Sequence, residues 1–341
     1  MPIGLRGVGK TVLLNRFDQT AQEEALVSAF IEAPETGDFE LLLAARLRSI
    51  LLELDRGSVS SAVKRALGTL KSFSYNLPDG TSIALDVDAI AGRADSGMLA
   101  EDITDLLVAV GEAAKDRGRG LLIAIDGVQY LAADELAALI SAIHRTVQLS
   151  LPVILVGAGL PQLPGLAGNA KSYAERLFDF PEIGSLSDDD ARAVLATPAN
   201  EQGVEFSDDA LDALLDFTQG YPYFLQEWGY HVWNTAPESP ISIEDVRLAA
   251  LDVQRRLDEN FFRVRMDRLT PAERQYLVAM AELGPGPHRS GDIATRLGVK
   301  VESVAPRRSV LIQKGMVYSP AHGDTAFTVP MFDDFLRRSQ T

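Results

Sequence analysis

Leu121–Ile125 (LLIAI) is five apolar residues without a break, closed by Asp126, and such a run reads as a strand covered by helices on both faces. Ala29–Ala33 (AFIEA) and Pro152–Val156 (PVILV) are two further short apolar runs suited to strands. Around them the apolar positions fall at helical spacing, in Thr11–Phe17, Asp38–Leu54, Ile103–Ala114 and Asp134–Val147. Lys71–Asn76 and Thr81–Val87 alternate on either side of Pro78-Asp79-Gly80, a turn signal, and predict a hairpin inserted in or edging the main sheet. The alternation of strand and helix predicts an α/β domain, a parallel sheet sandwiched by helices, with ligand chemistry at the carboxyl ends of the strands.

Beyond Phe180 the pattern turns all-helical, with Asp188–Leu195, Asp208–Phe217, Phe224–Val232 and Ile243–Leu257. It changes again at Thr270-Pro271-Ala272-Glu273, where a capping threonine, a proline at the first helical position and a glutamate at the third start a helix over Pro271–Leu283. Helices over Gly291–Leu297 and about Val304–Gln313 follow, the latter capped by Ser303 with Pro306 in its first turn. Val317–Ser319 and Ala326–Val329 pair as a hairpin, with His322 in its turn. Three helices and a wing make a winged helix-turn-helix. The expected division is therefore 1–180, an α/β domain; 181–260, a helical lid; and 261–341, a winged helix-turn-helix domain.

The chain has 341 residues, 46% of them hydrophobic and 23% charged, enough for two or three domains with sizeable cores. It has no cysteine, which excludes disulfides, thiol catalysis and cysteine-ligated zinc; no apolar run is long enough to span a membrane; and the cytoplasm is the expected compartment. The net charge of −16 is unevenly spread: from Phe261 onward twelve Lys/Arg face eight Asp/Glu, a balance of +4, so the first 260 residues carry −20. The tail is thus set apart from an acidic body that would repel nucleic acid.

Candidate chemistry sits at the start. Gly4, Leu5, Arg6, Gly7, Val8, Gly9, Lys10 and Thr11 spell GLRGVGKT, the G-x-x-x-x-G-K-T spacing of a Walker A loop, with Val12 opening the apolar helix behind it. Glycines at Gly4, Gly7 and Gly9 let backbone amides turn toward a phosphate, and the helix end adds its own amides and dipole. Lys10 is expected on the β and γ phosphates of ATP, the Thr11 hydroxyl on Mg2+, and Asp126, at the end of its apolar strand, on the same Mg2+ as the Walker B carboxylate. In a P-loop fold a buried strand precedes the loop, yet only Met1, Pro2 and Ile3 do so here. A missing first strand would leave unpaired backbone groups on both neighbours. The expected cause is a chain that starts at an internal methionine of a longer gene; the alternative is closure of the flanking strands around a degraded, inactive domain.

GLRGVGKTVLLNRF, LLIAIDGVQYL, LPVILVGAGLPQLPGLAG, SYAERLFDF and TQGYPYFLQEWG, in that order, resemble the Orc1/Cdc6-like and STAND-related AAA-family P-loop ATPases, and bacterial ATP-binding proteins of that family with a winged-helix tail. The resemblance covers nearly the whole chain. It implies that Gly157–Gln162 lies where relatives carry a polar sensor, although Gly157, Ala158 and Gly159 supply no such side chain and only Gln162 offers one. It implies that Arg176 matches an arginine near the nucleotide or a neighbouring subunit, and that Gly220-Tyr221-Pro222 matches a G-x-P motif whose proline, Pro222, packs on the nucleotide. Hydrolysing relatives carry glutamate directly after the Walker B aspartate. Here Gly127 stands in its place, with Gln129, Asp134 and Glu135 nearby, so competent binding with weak or conditional hydrolysis is expected. The lid helix start offers no sensor arginine, which favours a switch over a motor.

In the tail, Arg307 and Arg308 with Lys300 and Lys314 at the helix borders are expected to meet DNA phosphates and bases. Docking of another protein, or of the chain itself, onto the winged helix is the competing reading. Three functions stay open: a slow ATPase, a nucleotide-gated binding module, and a truncated relic with an inactive P-loop domain.

Overall fold

A computed structural model of the chain describes residues 1–35, 37, 39–56, 60–75, 87–284, 286–321 and 323–339. They form two compact units, Met1–Ile3 with Lys10–Glu182, and Gly4–Gly9 with Ile183–Thr341.

In the first unit α1 (Lys10–Glu23) leads to β1 (Val27–Glu32), α2 (Phe39–Leu54), α3 (Ser61–Ser74) and α4 (Leu99–Asp116), then β2 (Leu121–Asp126), α5 (Ala133–Gln148), β3 (Val153–Ala158), α6 (Leu163–Ala170) and α7 (Ala174–Leu177). The strands make a parallel sheet in the order β1-β2-β3. Side chains alternate across it. Val27, Ala29 and Ile31 of β1 and Leu121, Ile123 and Ile125 of β2 enter the large core with α2, α3, α4 and α5. Phe30, Ala124, Val156 and Ala158 take the opposite face, where fully buried Leu14 anchors α1. Helices thus cover both faces, which is the P-loop NTPase arrangement expected from the sequence.

The strand expected before the Gly-rich loop is present as a stub. Ile3 bridges in parallel to both Gly159 and Glu182, its amide donates to Pro181 at 2.9 Å, and the Pro2 carbonyl accepts from Gly159 at 3.1 Å. Three residues therefore occupy the slot beyond β3 and pair on both sides.

The expected hairpin needs correction. Lys71–Ser74 is the last turn of α3, capped at its start by the Ser60 hydroxyl, which accepts from the amides of Ala62 and Val63. Residues 76–86, the rest of that expectation, lie outside the described residues. α3 buries Val63, Leu67, Leu70 and Phe73 at helical spacing, and it also packs closely through small residues. Gly68 is so close to the 88–90 segment that a Cβ there would come within 2.8 Å of Ile90, and the Ser72 hydroxyl donates to the Ile90 carbonyl at 2.8 Å.

The second unit begins with α8 (Asp188–Glu201), α9 (Asp208–Thr218), α10 (Pro222–Thr235) and α11 (Ile243–Arg256), which runs through a π-helical stretch, Leu257–Arg263, into α12 (Val264–Asp267). Then come α13 (Pro271–Glu282), β4 (His288–Arg289), α14 (Ser290–Leu297), α15 (Val301–Gln313), β5 (Val317–Tyr318), β6 (Asp324–Phe327) and α16 (Phe332–Arg338). A small antiparallel sheet has the order β4-β6-β5. The Thr270 capping box forms as expected. α15 starts earlier than expected, at Val301 with Lys300 as its cap, so Pro306 lies in the helix interior, and the Ser303 hydroxyl donates back to the Lys300 carbonyl at 2.6 Å instead of capping. His322 lies outside the described residues.

Candidate functional site

In the first unit the strand register lines up Glu32, Asp126 and Ala158 in one row across the carboxyl end of the sheet. Asp126 follows Ala124 on the α1 face by the two-residue period, and the Thr11 hydroxyl, in the first turn of α1, donates to its carboxylate. An alcohol and a carboxylate joined in this way are a hard oxygen pair suited to Mg2+. Lys10 is half-buried at the first position of α1, while Val12 is 72% exposed and faces away from the sheet.

Gly127 has a left-handed backbone, φ +75°, and a Cβ there would come within 3.0 Å of the Tyr130 ring. A glutamate at this position is therefore disfavoured by the turn itself. The other nearby groups are engaged. The Gln129 Oε1 accepts from the Leu160 amide at 3.0 Å, the Glu135 carboxylate accepts from the Ala132 amide at 2.7 Å, and Asp134 accepts from the Glu135 amide at 3.0 Å. They cap a helix and hold a strand end together.

The missing sensor side chain has a packing cause. A Cβ on Gly157 would lie 2.7 Å from Val128, and one on Gly159 2.8 Å from Leu163. Gln162, just beyond, carries a buried Oε1 with no hydrogen-bond partner among the described residues. Arg176 is exposed on the four-residue α7.

In the second unit Gly7 and Gly9 take positive φ values of +92° and +93°, the conformations that turn amides inward, and nothing lies within 4 Å of where a Gly9 Cβ would stand. These features fit a phosphate. The loop is held on its other side. The Arg6 amide donates to the Thr328 carbonyl at 3.2 Å, the Tyr223 amide donates to the Gly7 carbonyl at 3.1 Å, and the Tyr221 hydroxyl donates to the Arg6 carbonyl. Val8 is buried, and Leu5 packs against the same core, with Tyr221, Phe224 and Phe261. Pro222 opens α10 between the two tyrosines, its fixed φ setting the turn that presents them.

Arg265, which sequence reasoning passed over, stands beside this loop. Its guanidinium lies 3.8 Å from the centre of the Phe261 ring, and Phe261 stacks on Tyr223 at 4.3 Å. Burial and then the nearby Arg6 hold Arg265 below the usual arginine range, and its buried Nε has no hydrogen-bond acceptor among the described residues. Two like charges here are a cost that an anion would relieve. Burial likewise pushes the Tyr221 hydroxyl well above its ordinary range, with Arg265 opposing.

The basic residues of the tail divide. Lys300 is exposed and Arg307 half-buried on α15. Arg308 donates from Nε to the Thr325 hydroxyl at 2.8 Å, and from one Nη to the Ser319 hydroxyl at 2.6 Å and the Asp324 carbonyl at 2.8 Å. Lys314 donates to Glu273 at 2.8 Å and to the Arg268 carbonyl at 3.1 Å. Among the described residues no group of His, Asp and Glu is arranged to hold a metal by itself, and no helix is long and apolar enough to cross a membrane.

Residues 3–156 match the AAA ATPase domain family, and residues 259–336 match a domain family of unknown function, DUF8462. No curated protein matches the chain. Among solved structures, the Walker-type ATPase of Pyrococcus abyssi is 13% identical and covers 98% of this chain and 90% of its own, with a TM-score of 0.62; at that identity the likeness is one of fold. The Thermotoga maritima RuvB Holliday junction branch migration motor is 17% identical over 98% of this chain and 86% of its own, at a TM-score of 0.47. The Aeropyrum pernix Orc1 protein in complex with DNA is 15% identical over 99% and 86%, at 0.44. Those two are too distant in shape to argue from.

Proposed function

We propose, from the premise that residues 3–156 carry an AAA-type P-loop ATPase domain, that this chain is a nucleotide-dependent switch that binds ATP with Mg2+ and hydrolyses it slowly. The observation that carries the reading is the hydrogen bond from the Thr11 hydroxyl to the Asp126 carboxylate, which brings together two oxygen ligands that lie far apart in sequence. The loop amides from Gly7 to Thr11 and the free end of α1 would hold the phosphates, Lys10 the β and γ groups, and Thr11 and Asp126 the Mg2+. Arg265, on α12 beside the Gly-rich loop in the second unit, is the further candidate for holding an anion at that loop.

The switch part rests on the second unit. Tyr221, Tyr223 and Thr328 all hold the Gly4–Gly9 backbone, so a change at the phosphates would be felt by α10 and by the strand end after β6. Residues 181–260 are the lid in this reading, and Pro222 is the residue that couples it to the loop. Residues 261–341 are the output domain. The order α13, β4, α14, α15, β5, β6 supports a winged helix-turn-helix.

The output partner is DNA or a protein. Lys300 and Arg307 are the candidates for DNA phosphates in this reading, because Arg308 and Lys314 are tied into the domain itself. Arg176 is retained as the candidate for contact with a neighbouring copy. A cytoplasmic location accompanies this reading. The alternative, a docking module whose P-loop domain is inactive, is separated by one experiment. Fluorescent ATP is titrated into the chain with and without Mg2+, beside Lys10→Ala. Binding that needs both Lys10 and Mg2+ supports the switch; no binding by the native chain would leave the inactive module.

A further inference from the structure

Glu32 ends β1 directly opposite Asp126 in the parallel register. Opposed residues on neighbouring parallel strands point to the same face, about 4.8 Å apart. That face is the α1 side, where Phe30 and Ala124 pack against Leu14 and where Thr11 reaches Asp126. Glu32 is exposed, and its side chain makes no hydrogen bond or ion pair among the described residues. The alternatives are occupied: position 127 has a left-handed turn that favours glycine, Gln129 holds the Leu160 amide, and Asp134 and Glu135 cap α5.

We propose that Glu32 is the general base for ATP hydrolysis, moved from the usual place after Asp126 to the neighbouring strand; this rests on the ATP-binding reading above. In the step, the Glu32 carboxylate takes one proton from a water as the water oxygen bonds to the γ-phosphorus. The bond from that phosphorus to the β–γ bridging oxygen breaks, and its electron pair stays with ADP. Inorganic phosphate forms, and the proton passes from Glu32 to solvent, restoring the carboxylate. Asp126 and Thr11 would hold the metal and take no proton.

The test compares Glu32→Gln, Glu32→Asp and the native full chain by fluorescent ATP binding and by single-turnover phosphate release with Mg2+. Glu32→Gln is expected to bind ATP within about three-fold of the native chain and to hydrolyse it on the order of 100-fold more slowly. Glu32→Asp should keep part of the activity. Equal rates with ATP bound would overturn the assignment, as would a native chain that binds ATP but turns over no faster than Lys10→Ala. A native chain that fails to bind ATP would instead remove the nucleotide reading, and the role of Glu32 with it.

Discussion

The Tyr221 hydroxyl donates to the backbone carbonyl of Arg6, so a side chain at the entrance of α10 fixes the middle of the Gly-rich loop. Tyr221 is only 3% exposed, and the bond is made out of water. Its loss should be felt at the loop before it is felt in the fold.

Tyr221→Phe removes that one hydrogen bond, worth about 1 kcal/mol, and leaves the ring packing in place. The expected result is a melting temperature lowered by a few degrees and several-fold faster release of fluorescent ADP in stopped flow. Unchanged release would show that the bond holds the fold alone.

Arg265→Gln takes away a charge that burial and Arg6 both disfavour. A residue kept only for packing would be replaced at little cost, and the chain would become slightly more stable. A phosphate contact predicts a different outcome, ATP affinity lowered by about ten-fold while stability holds or rises. Titration and thermal melting on one preparation separate the two.

Gly127→Glu restores the residue that hydrolysing relatives carry after the aspartate, but in a backbone that disfavours it. The left-handed turn and the Tyr130 ring should cost about 1–2 kcal/mol. No gain in phosphate release is expected. A faster enzyme would mean that the turn relaxes easily and that its geometry does not decide where the base can stand.

Glu273 gives a pH prediction. Burial alone pushes its carboxyl up, but hydrogen bonds from Lys314 and the Thr270 amide and hydroxyl outweigh it and hold the group below the usual carboxylate range. Its contribution is therefore full above about pH 4.3 and is lost as the pH falls through the lowered folded value. Lys314→Gln should lower stability at pH 7, and the difference from the native chain should shrink in acid, as read from urea melts at pH 7 and pH 3. An equal gap at both pH values would contradict this.

Arg308→Ala and Arg307→Ala should part company. The first loses three hydrogen bonds to the strand region, about 1–3 kcal/mol, and the melt should show it. The second should melt like the native chain and, if DNA is the partner, flatten the salt dependence of binding by about one unit of slope. A stable Arg308→Ala with weakened DNA binding would return that arginine to the interface.

The α/β order and the strand closed by Asp126 were legible because each rests on a local pattern: an unbroken apolar run, helical spacing, a loop of fixed glycine positions. What stayed hidden depends on contacts between distant segments. Glu32 looks like an ordinary strand end until the register sets it opposite Asp126. α3 was masked because Lys-Ser-Phe-Ser-Tyr-Asn at its end alternates as a strand would, although Val63, Leu67, Leu70 and Phe73 form a helical face buried in the core. Arg308 and Lys314 read as surface charges, and only the fold shows which acceptors they meet.

The path of the backbone has one further consequence. The chain passes between its two units after Ile3, after Gly9 and after Glu182, so the six residues Gly4–Gly9 belong to the second unit although the chain on either side of them belongs to the first. Cutting the gene at residue 183 would not yield two self-sufficient modules. The piece from 183 onward would carry an empty seat lined by Tyr221, Tyr223 and Thr328, and the piece before it a tether without its dock. In evolution such an arrangement makes the halves hard to exchange: a new second unit must arrive already shaped to receive the loop.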